Sequence, residues 1–288
     1  MNNSERHIWV NGQFISDGTP VFAAESRGLM YGAGCFETFR SSRGRFLHLD
    51  LHLERLGKGM DYLGMSRGFL DHPADIRENL RELLDMNGLL NSEALIRIQV
   101  SLAGGRGYGR LQGEQVNMTI TADPVGNGKG TCRLARVNVT VVPTSSRPAD
   151  LKLSNTLHYM KGWREARHKG FDDALMLTVD GFVAETAIAN VFWKKGGIIY
   201  TPSETCDILP GITRKIMLDL LSRRPDYPIE EGRFRPEELE QADLVWLTNS
   251  VQKIQPVTGI ESRSYLQDES FFSSLIRDFD LYEERNNR

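Results

Sequence analysis

Residues 182–193 read FVAETAIANVFW. Glu185 is the only acidic residue in a run of small, apolar and β-favouring side chains, the composition of a strand in a sheet interior. The stretch reads as a single strand joined through Asp180-Gly181 to the strand DALMLTV (173–179). A carboxylate in such a place is costly unless something pairs with it. The partner of Glu185 is therefore the question from which the rest of the chain is read.

The chain has 288 residues, 40% apolar and 25% charged, enough for two ordinary domains with a sizeable core. A net charge of −3 gives no basic footprint and argues against nucleic acid as a partner. No apolar run approaches a membrane span, and the N-terminus lacks an apolar signal core. Cys35, Cys132 and Cys206 are far apart and odd in number, which suits a reducing cytoplasm.

Periodicity sets the organisation. IWVNGQFI (8–15) predicts a hairpin around Asn11-Gly12. Helical spacing predicts helices over Asp50–Met65, Pro73–Met86, Thr156–Lys169 and Ile212–Arg223. RGLMYGAG (27–34) reads as a glycine-punctuated loop. ALIRIQVSL (94–102) and VNMTITA (116–122) read as strands flanking a second glycine loop. DPVGNGKGT (123–131) is the candidate interdomain linker. It separates an N-terminal domain, 1–122, from a C-terminal domain, 132–288, which would carry Lys152. The expected class is α+β, in two α/β domains.

Several chemistries lack their signatures. Neither GxGxxG nor GxxxxGK[ST] opens a helix, and no GxSxG is present. His48 and His52 are spaced i, i+4 but lack an HExxH context, so no metal site is expected. What remains is a set of separate parts. DLKLSNTL (150–157) offers Lys152, the residue type that forms a Schiff base when desolvation frees its amine. Glu185 could keep a pyridine nitrogen protonated and make the ring an electron sink. A phosphate wants a fixed-charge arginine, hydroxyl donors and a helix N-terminus. Arg55 in HLERL, WLTNS (246–250) and ILPGITR (208–214) supply these. Each part alone has a plainer reading, and Lys152 between Leu151 and Leu153 could simply face solvent. Their order and spacing together fit pyridoxal 5'-phosphate.

In these motifs the chain resembles the class-IV aminotransferases, the fold-type IV pyridoxal-phosphate enzymes. That group holds branched-chain and D-amino-acid aminotransferases and 4-amino-4-deoxychorismate lyases. The resemblance spans VNGQFI to IQPV. It implies that Lys152, with Asn155 three residues on, is the catalytic lysine, that Glu185 faces the pyridine nitrogen, and that Arg55 binds phosphate. It also implies cofactor contacts from Asn190, backbone N–H groups of Ile212 and Thr213, and Ser250 with Val251. Phe36 and Glu37 in GCFETFR would line the substrate side, with Arg97. A D-amino-acid aminotransferase-like fold of two domains with the cofactor between them is implied, as is a homodimer acting on a small amino substrate.

Within the family, the place of the carboxylate arginine of D-specific enzymes is held by Leu102 in VSLAG. The Tyr-x-Arg-Pro of branched-chain enzymes is represented only by Arg97 in LIRIQ. GGRGYG (104–109), with Arg106 and Tyr108, is similar to a loop of the deoxychorismate lyases. The expectation is a lyase that forms p-aminobenzoate and pyruvate. An aminotransferase for D- or branched-chain amino acids, with a 2-oxo acid acceptor, is the alternative. A non-catalytic scaffold is disfavoured by intact Lys152 and Glu185.

Overall fold

The computed structural model describes residues 6–108, 114–126 and 130–286, so Gly109 of the glycine loop and 127–129 of the linker lie outside the described residues. The chain divides into two compact units, one reaching to Gly126 and also taking in Leu151–Asn155, the other holding the rest up to Asn286.

The first unit contains β1 (His7–Val10), β2 (Gln13–Ser16), α1 (Arg27–Tyr31), β3 (Gly34–Ser42), β4 (Arg45–Phe46), α2 (Leu49–Tyr62), α3 (Pro73–Met86), β5 (Glu93–Leu102) and β6 (Val116–Pro124). Its strands form one antiparallel sheet in the order β2-β1-β6-β5-β3-β4. The β1–β2 turn places Asn11 and Gly12 at positive φ (47° and 96°), as a tight hairpin requires. Along β5, Ala94, Ile96, Ile98, Val100 and Leu102 are buried and alternate with more exposed residues, so one face carries the core. Leu53, Leu56 and Met60 of α2 and Ile76, Leu80 and Leu83 of α3 join that core. Helix α2 stops at Tyr62 rather than Met65, because Gly64 turns left-handed at φ 67°. Residues 27–31, read as loop, form α1, capped by the Ser26 hydroxyl on the Leu29 N–H.

The second unit contains β7 (Cys132–Thr140), α4 (Leu157–His168), β8 (Asp173–Leu177), β9 (Val183–Thr186), β10 (Asn190–Lys195), β11 (Ile198–Pro202), α5 (Ile212–Ser222), β12 (Ile229–Gly232), α6 (Pro236–Glu240), β13 (Leu244–Asn249), β14 (Lys253–Ile260), β15 (Arg263–Ser264) and α7 (Glu269–Asn286). Its sheet runs β12-β11-β10-β13-β14-β7-β8-β9, with β15 on β14. It is mixed: β7 is parallel to β8 and β14, and β11 to β12. Helix α7 has no counterpart in the sequence reading, although Phe271, Leu275 and Phe279 bury one helical face. Helices on an antiparallel sheet in one unit and a mixed sheet in the other make the α+β class expected.

Two expectations change. The stretch 182–193 is not one strand: it breaks between β9 and β10. The Thr186 N–H and hydroxyl donate to the Ala189 carbonyl, and the same hydroxyl accepts from the Ala189 N–H, closing a tight turn. Lys152 groups with the first unit rather than with the C-terminal part. Leu151 and Leu153 are buried in the first unit's core, and the segment is hydrogen-bonded to β3. At that junction a Cβ on Gly34 would lie 2.7 Å from the Val100 carbonyl oxygen and 2.8 Å from Ser154 Oγ. Gly34→Ala should therefore cost about 1–3 kcal/mol of stability. Urea unfolding measures it, and a neutral result would contradict this close approach.

Candidate active site

In the first unit the site is built on both faces of β3. The Phe36 N–H donates to the Lys152 carbonyl (3.0 Å), the Ser154 N–H donates to the Gly34 carbonyl (2.8 Å), and Cys35 bridges Leu153. With Leu151 and Leu153 turned into the core, pleat alternation sends Lys152 to the other face. There its Nζ lies 4.8 Å from the Phe36 ring centroid. The plainer reading, a lysine merely pointing to solvent, gives way to a half-buried amine over an aromatic ring. The Arg97 guanidinium lies 3.8 Å from the same ring centroid, and Arg97 donates to Gln99 Oε1 (2.9 Å). Gln99 Nε2 in turn donates to Ser154 Oγ (2.6 Å), so the lysine segment is tied to β5 as well.

Glu37 corrects the sequence reading. As the neighbour of Phe36 on a strand it must point to the opposite face, and it is 0% exposed. Both of its oxygens are taken: Arg55 Nε and Nη2 donate at 2.7 and 2.8 Å, and His52 Nδ1 lies 2.6 Å away. Glu37 is thus the brace of Arg55, not a substrate contact. Burial pushes its carboxyl pKa up, but the Arg55 charge and hydrogen bonds, with His52, outweigh burial and hold it at about 2. For His52 burial wins over Glu37, and its pKa is lowered. Its imidazole is then neutral at pH 7, with Nδ1–H donating to Glu37.

Arg106 and Tyr108 belong to the glycine loop that follows β5. Arg106 is exposed and ion-paired to Glu25 (2.8 Å). Tyr108 is 95% exposed, its ring 5.8 Å from that of Tyr31. The stem of their loop is clamped by Arg27, which donates to the Gly105 carbonyl (3.0 Å) and is paired with Glu114 (2.7 Å).

In the second unit the turn at 187–189 brings Glu185 and Asn190 together. Five residues apart on a straight strand they would face opposite sides. Here Asn190 Nδ2 donates to Glu185 Oε2 (3.1 Å) and to the Leu209 carbonyl (2.8 Å). The Leu209 N–H donates to both Glu185 oxygens at 3.2 Å, and the Tyr159 hydroxyl donates to Oε1 at 2.5 Å. Two residues beyond Leu209, Gly211 forms the N-cap of α5 with no capping side chain. A Cβ on Gly211 would lie 2.2 Å from Asn190 Oδ1, so only glycine fits. Ile212 and Thr213 open that helix, and an uncapped first turn presents N–H groups and the positive end of the dipole. Thr248, opposite Asn190 in the sheet, has a buried hydroxyl without a hydrogen-bond partner. Ser250 is half-buried. Val251, expected with Ser250 to close the phosphate site, donates its N–H to Asn249 Oδ1 (2.9 Å).

This unit thus joins a buried carboxylate to an open helix N-terminus through Asn190, with a spare hydroxyl nearby. The donor set suits a group that carries a protonated ring nitrogen and a phosphate, and the residues present fit pyridoxal phosphate. Sequence reading named Glu185, Asn190, Ile212 and Thr213, and the hydroxyls of WLTNS that include Thr248, but missed Tyr159 and Leu209. A tyrosine in the first turn of a predicted helix was the only available signal for the first of these.

Comparison with known proteins bears on the family. A family model for amino-transferase class IV matches residues 34–260. The aminodeoxychorismate lyase of Bacillus subtilis (strain 168) is 32% identical over 261 residues, 90% of this chain and 88% of that protein. A crystal structure from Legionella pneumophila, described as a candidate 4-amino-4-deoxychorismate lyase, aligns with a TM-score of 0.81 at 28% identity, covering 92% and 96% of the two chains. The branched-chain aminotransferase of Thermoproteus uzoniensis, solved with norvaline, shares the fold with a TM-score of 0.87 at 24% identity, over 98% and 96%.

The Glu37 brace makes a prediction with a definite sign. Its folded pKa of about 2 lies below the ordinary 4.5, so its stabilisation is complete above about pH 4.5 and is lost as pH falls toward 2. Glu37→Gln leaves the buried Arg55 charge without its counter-charge and weakens the acceptor of His52 Nδ1–H, and should cost about 3–5 kcal/mol at pH 7. The variant should also lose less stability than wild type between pH 4.5 and 2. Denaturant melts across that window test both, and parallel curves would refute the pairing.

Proposed function

The chain belongs to the amino-transferase class IV family, and from that premise we propose that it is a pyridoxal-phosphate-dependent 4-amino-4-deoxychorismate lyase. The observation that carries the choice of reaction is Leu102. It is 6% exposed and packed in the first unit's core, at the place where D-specific aminotransferases would carry a carboxylate arginine. The likeness to the Bacillus subtilis lyase supports the same choice.

When bound, the cofactor supplies an electron sink for the substrate's developing carbanion. Lys152 would anchor it, and once the substrate's amino group has displaced the Lys152 amine from it, that amine is free to act as base and then as acid. Its amine takes the ring proton from the carbon bearing the amino group and returns a proton to the departing three-carbon fragment as the ether C–O bond breaks. Aminodeoxychorismate then divides into p-aminobenzoate and pyruvate with no water and no oxidant, so the atoms balance. Phe36 limits the directions in which the Lys152 amine can swing, and Arg97 on the same face offers a guanidinium to a substrate carboxylate. Glu185 would hold the ring nitrogen protonated. Each unit offers groups suited to a phosphate: in the first Arg55, kept in one orientation by Glu37, and in the second the N–H groups of Ile212 and Thr213, with Ser250.

The protein is further read as a cytoplasmic homodimer. Cys35, Cys132 and Cys206, none of them in a disulfide, support the compartment. The exposed Leu157, Met160 and Trp163 at helical spacing on α4 support a second copy covering that face.

Two measurements test the reading. Lys152→Ala should abolish borohydride-stable attachment of the cofactor and nearly all turnover. Trapping on Lys161, or on no lysine, would remove the assignment. A lyase also needs only one substrate, whereas an aminotransferase stalls after one turnover until a 2-oxo acid arrives. Sustained p-aminobenzoate and pyruvate release from aminodeoxychorismate alone is expected. Rapid transfer between amino acids and 2-oxoglutarate, with no p-aminobenzoate formed, would replace the lyase by an aminotransferase.

A further inference from the structure

Glu185 is 4% exposed, and a different side chain reaches each of its two oxygens. Oε2 accepts from Asn190, Oε1 from Tyr159, and the Leu209 N–H is shared between them. Asn190 begins β10 and is itself bonded to the Leu209 carbonyl. Tyr159 arrives from α4 and makes the shortest of these contacts. We propose that Tyr159 is the positioning residue for Glu185, its hydroxyl setting both the orientation of the carboxylate and its hold on a proton shared with the cofactor's ring nitrogen. This rests on the reading that pyridoxal phosphate binds here with Glu185 at that nitrogen.

Three features support the role. Burial, and then Glu185, raise the phenol pKa well above 10, so the hydroxyl is always a donor and never a competing anion. The Tyr159 ring is fixed from outside: the His158 ring lies 4.0 Å away centroid to centroid, and the Arg147 guanidinium 6.0 Å from the Tyr159 centroid. Arg147, 9% exposed, lies 3.5 Å from His158 Nε2, and burial, with Arg147, lowers the His158 pKa to about 4. A neutral His158 can therefore accept from Arg147, and the guanidinium keeps its place beside the phenol ring. A carboxylate pinned in this way need not reorganise when charge develops on the ring it faces.

The charged and titratable groups around this cluster are Tyr159 and His158 on α4, Arg147 before it and Asp207 after the turn Glu204–Cys206. Asp173 of β8 faces the Thr186 side of the 187–189 turn, its pKa raised to about 6 by burial against the hydrogen bonds it accepts. Its titration falls in both the wild type and any Tyr159 variant, so the comparison below cancels it.

The test pairs Tyr159→Phe with replacement of Tyr159 by a trifluorotyrosine, which keeps the shape and strengthens the donor. In cofactor-free protein labelled with 13C at glutamate carboxyls, Glu185 is assigned by its absence in Glu185→Gln. Tyr159→Phe should move its titration up by roughly one to two units, the worth of one hydrogen bond to a charged group. The fluorinated residue should move it down. In the holoenzyme the acidic limb of kcat should shift the same way in each variant. For Tyr159→Phe kcat should fall about ten-fold with KM within two-fold. Should Tyr159→Phe fail to fold, the fluorinated protein decides alone. Unmoved titration and acidic limb, in a protein whose wild type traps cofactor on Lys152, would overturn the role of Tyr159 and spare the cofactor reading. A wild type that traps none would overturn that reading and the role with it.

Discussion

The hydrogen bond from the Phe36 N–H to the Lys152 carbonyl is where the first unit's sheet becomes a site. Strand β3 is nine residues long, but β4 pairs only with Ser41 and Ser42, which leaves the edge at residues 34–36 needing partners. Unpaired backbone groups there would be costly if buried and adhesive if exposed. Residues 151–155 fill the gap from more than a hundred positions away, and Leu151 and Leu153 anchor them in the core. Alternation then leaves Lys152 one direction to face. The amine over Phe36 is a consequence of covering a sheet edge, which is why it can be held firmly without being buried outright.

The same alternation separates two residues that adjacent sequence positions invite one to group. Phe36 and Glu37 cannot line one surface, because a strand sends neighbours to opposite sides. Phe36 faces Lys152 and Arg97, whereas Glu37 faces α2 and binds Arg55 and His52. Under the proposed function both faces of β3 would serve the chemistry, one by holding the Lys152 segment and the other by fixing the guanidinium proposed for phosphate. Neither function could be moved by one position without exchanging them.

What the sequence made legible follows from how local each signal is. Helices α2, α3, α4 and α5 were readable because each repeats an apolar face over three or four turns. Lys152, Arg55 and Glu185 stood out as candidates because they sit in short motifs of fixed spacing. The break after Thr186 was not, since FVAETAIANVFW has the composition of a strand throughout and the turn depends on one hydroxyl bonding to Ala189. Helix α7 carried a periodic apolar face that had no motif beside it to draw the eye. Tyr159 was invisible for a different reason: its meaning lies in a contact with a residue 26 positions on. Arg106 and Tyr108 show the converse, a loop whose local pattern suggested a site while its described contacts are with Glu25 and Tyr31.

The two buried glutamates illustrate how one residue type is given opposite duties by its partners. Glu37 meets the full charge of Arg55, and that pairing holds its pKa down at about 2 and ties a helix to a strand. Glu185 meets a phenol, a carboxamide and a main-chain N–H, groups that orient a carboxylate through dipoles. Dipoles aimed at an anion keep it available to a cation that arrives later, because they need not leave when it binds. The tight turn that joins β9 to β10 is what makes the second arrangement possible, since it alone lets Asn190 reach back to Glu185 while Gly211 stays small enough to pass beneath Asn190 Oδ1. A helix N-terminus and a carboxylate, two groups that answer opposite charges, are thereby fixed at one end of a single sheet. A ligand with a cationic ring and an anionic tail is the chemistry that uses both.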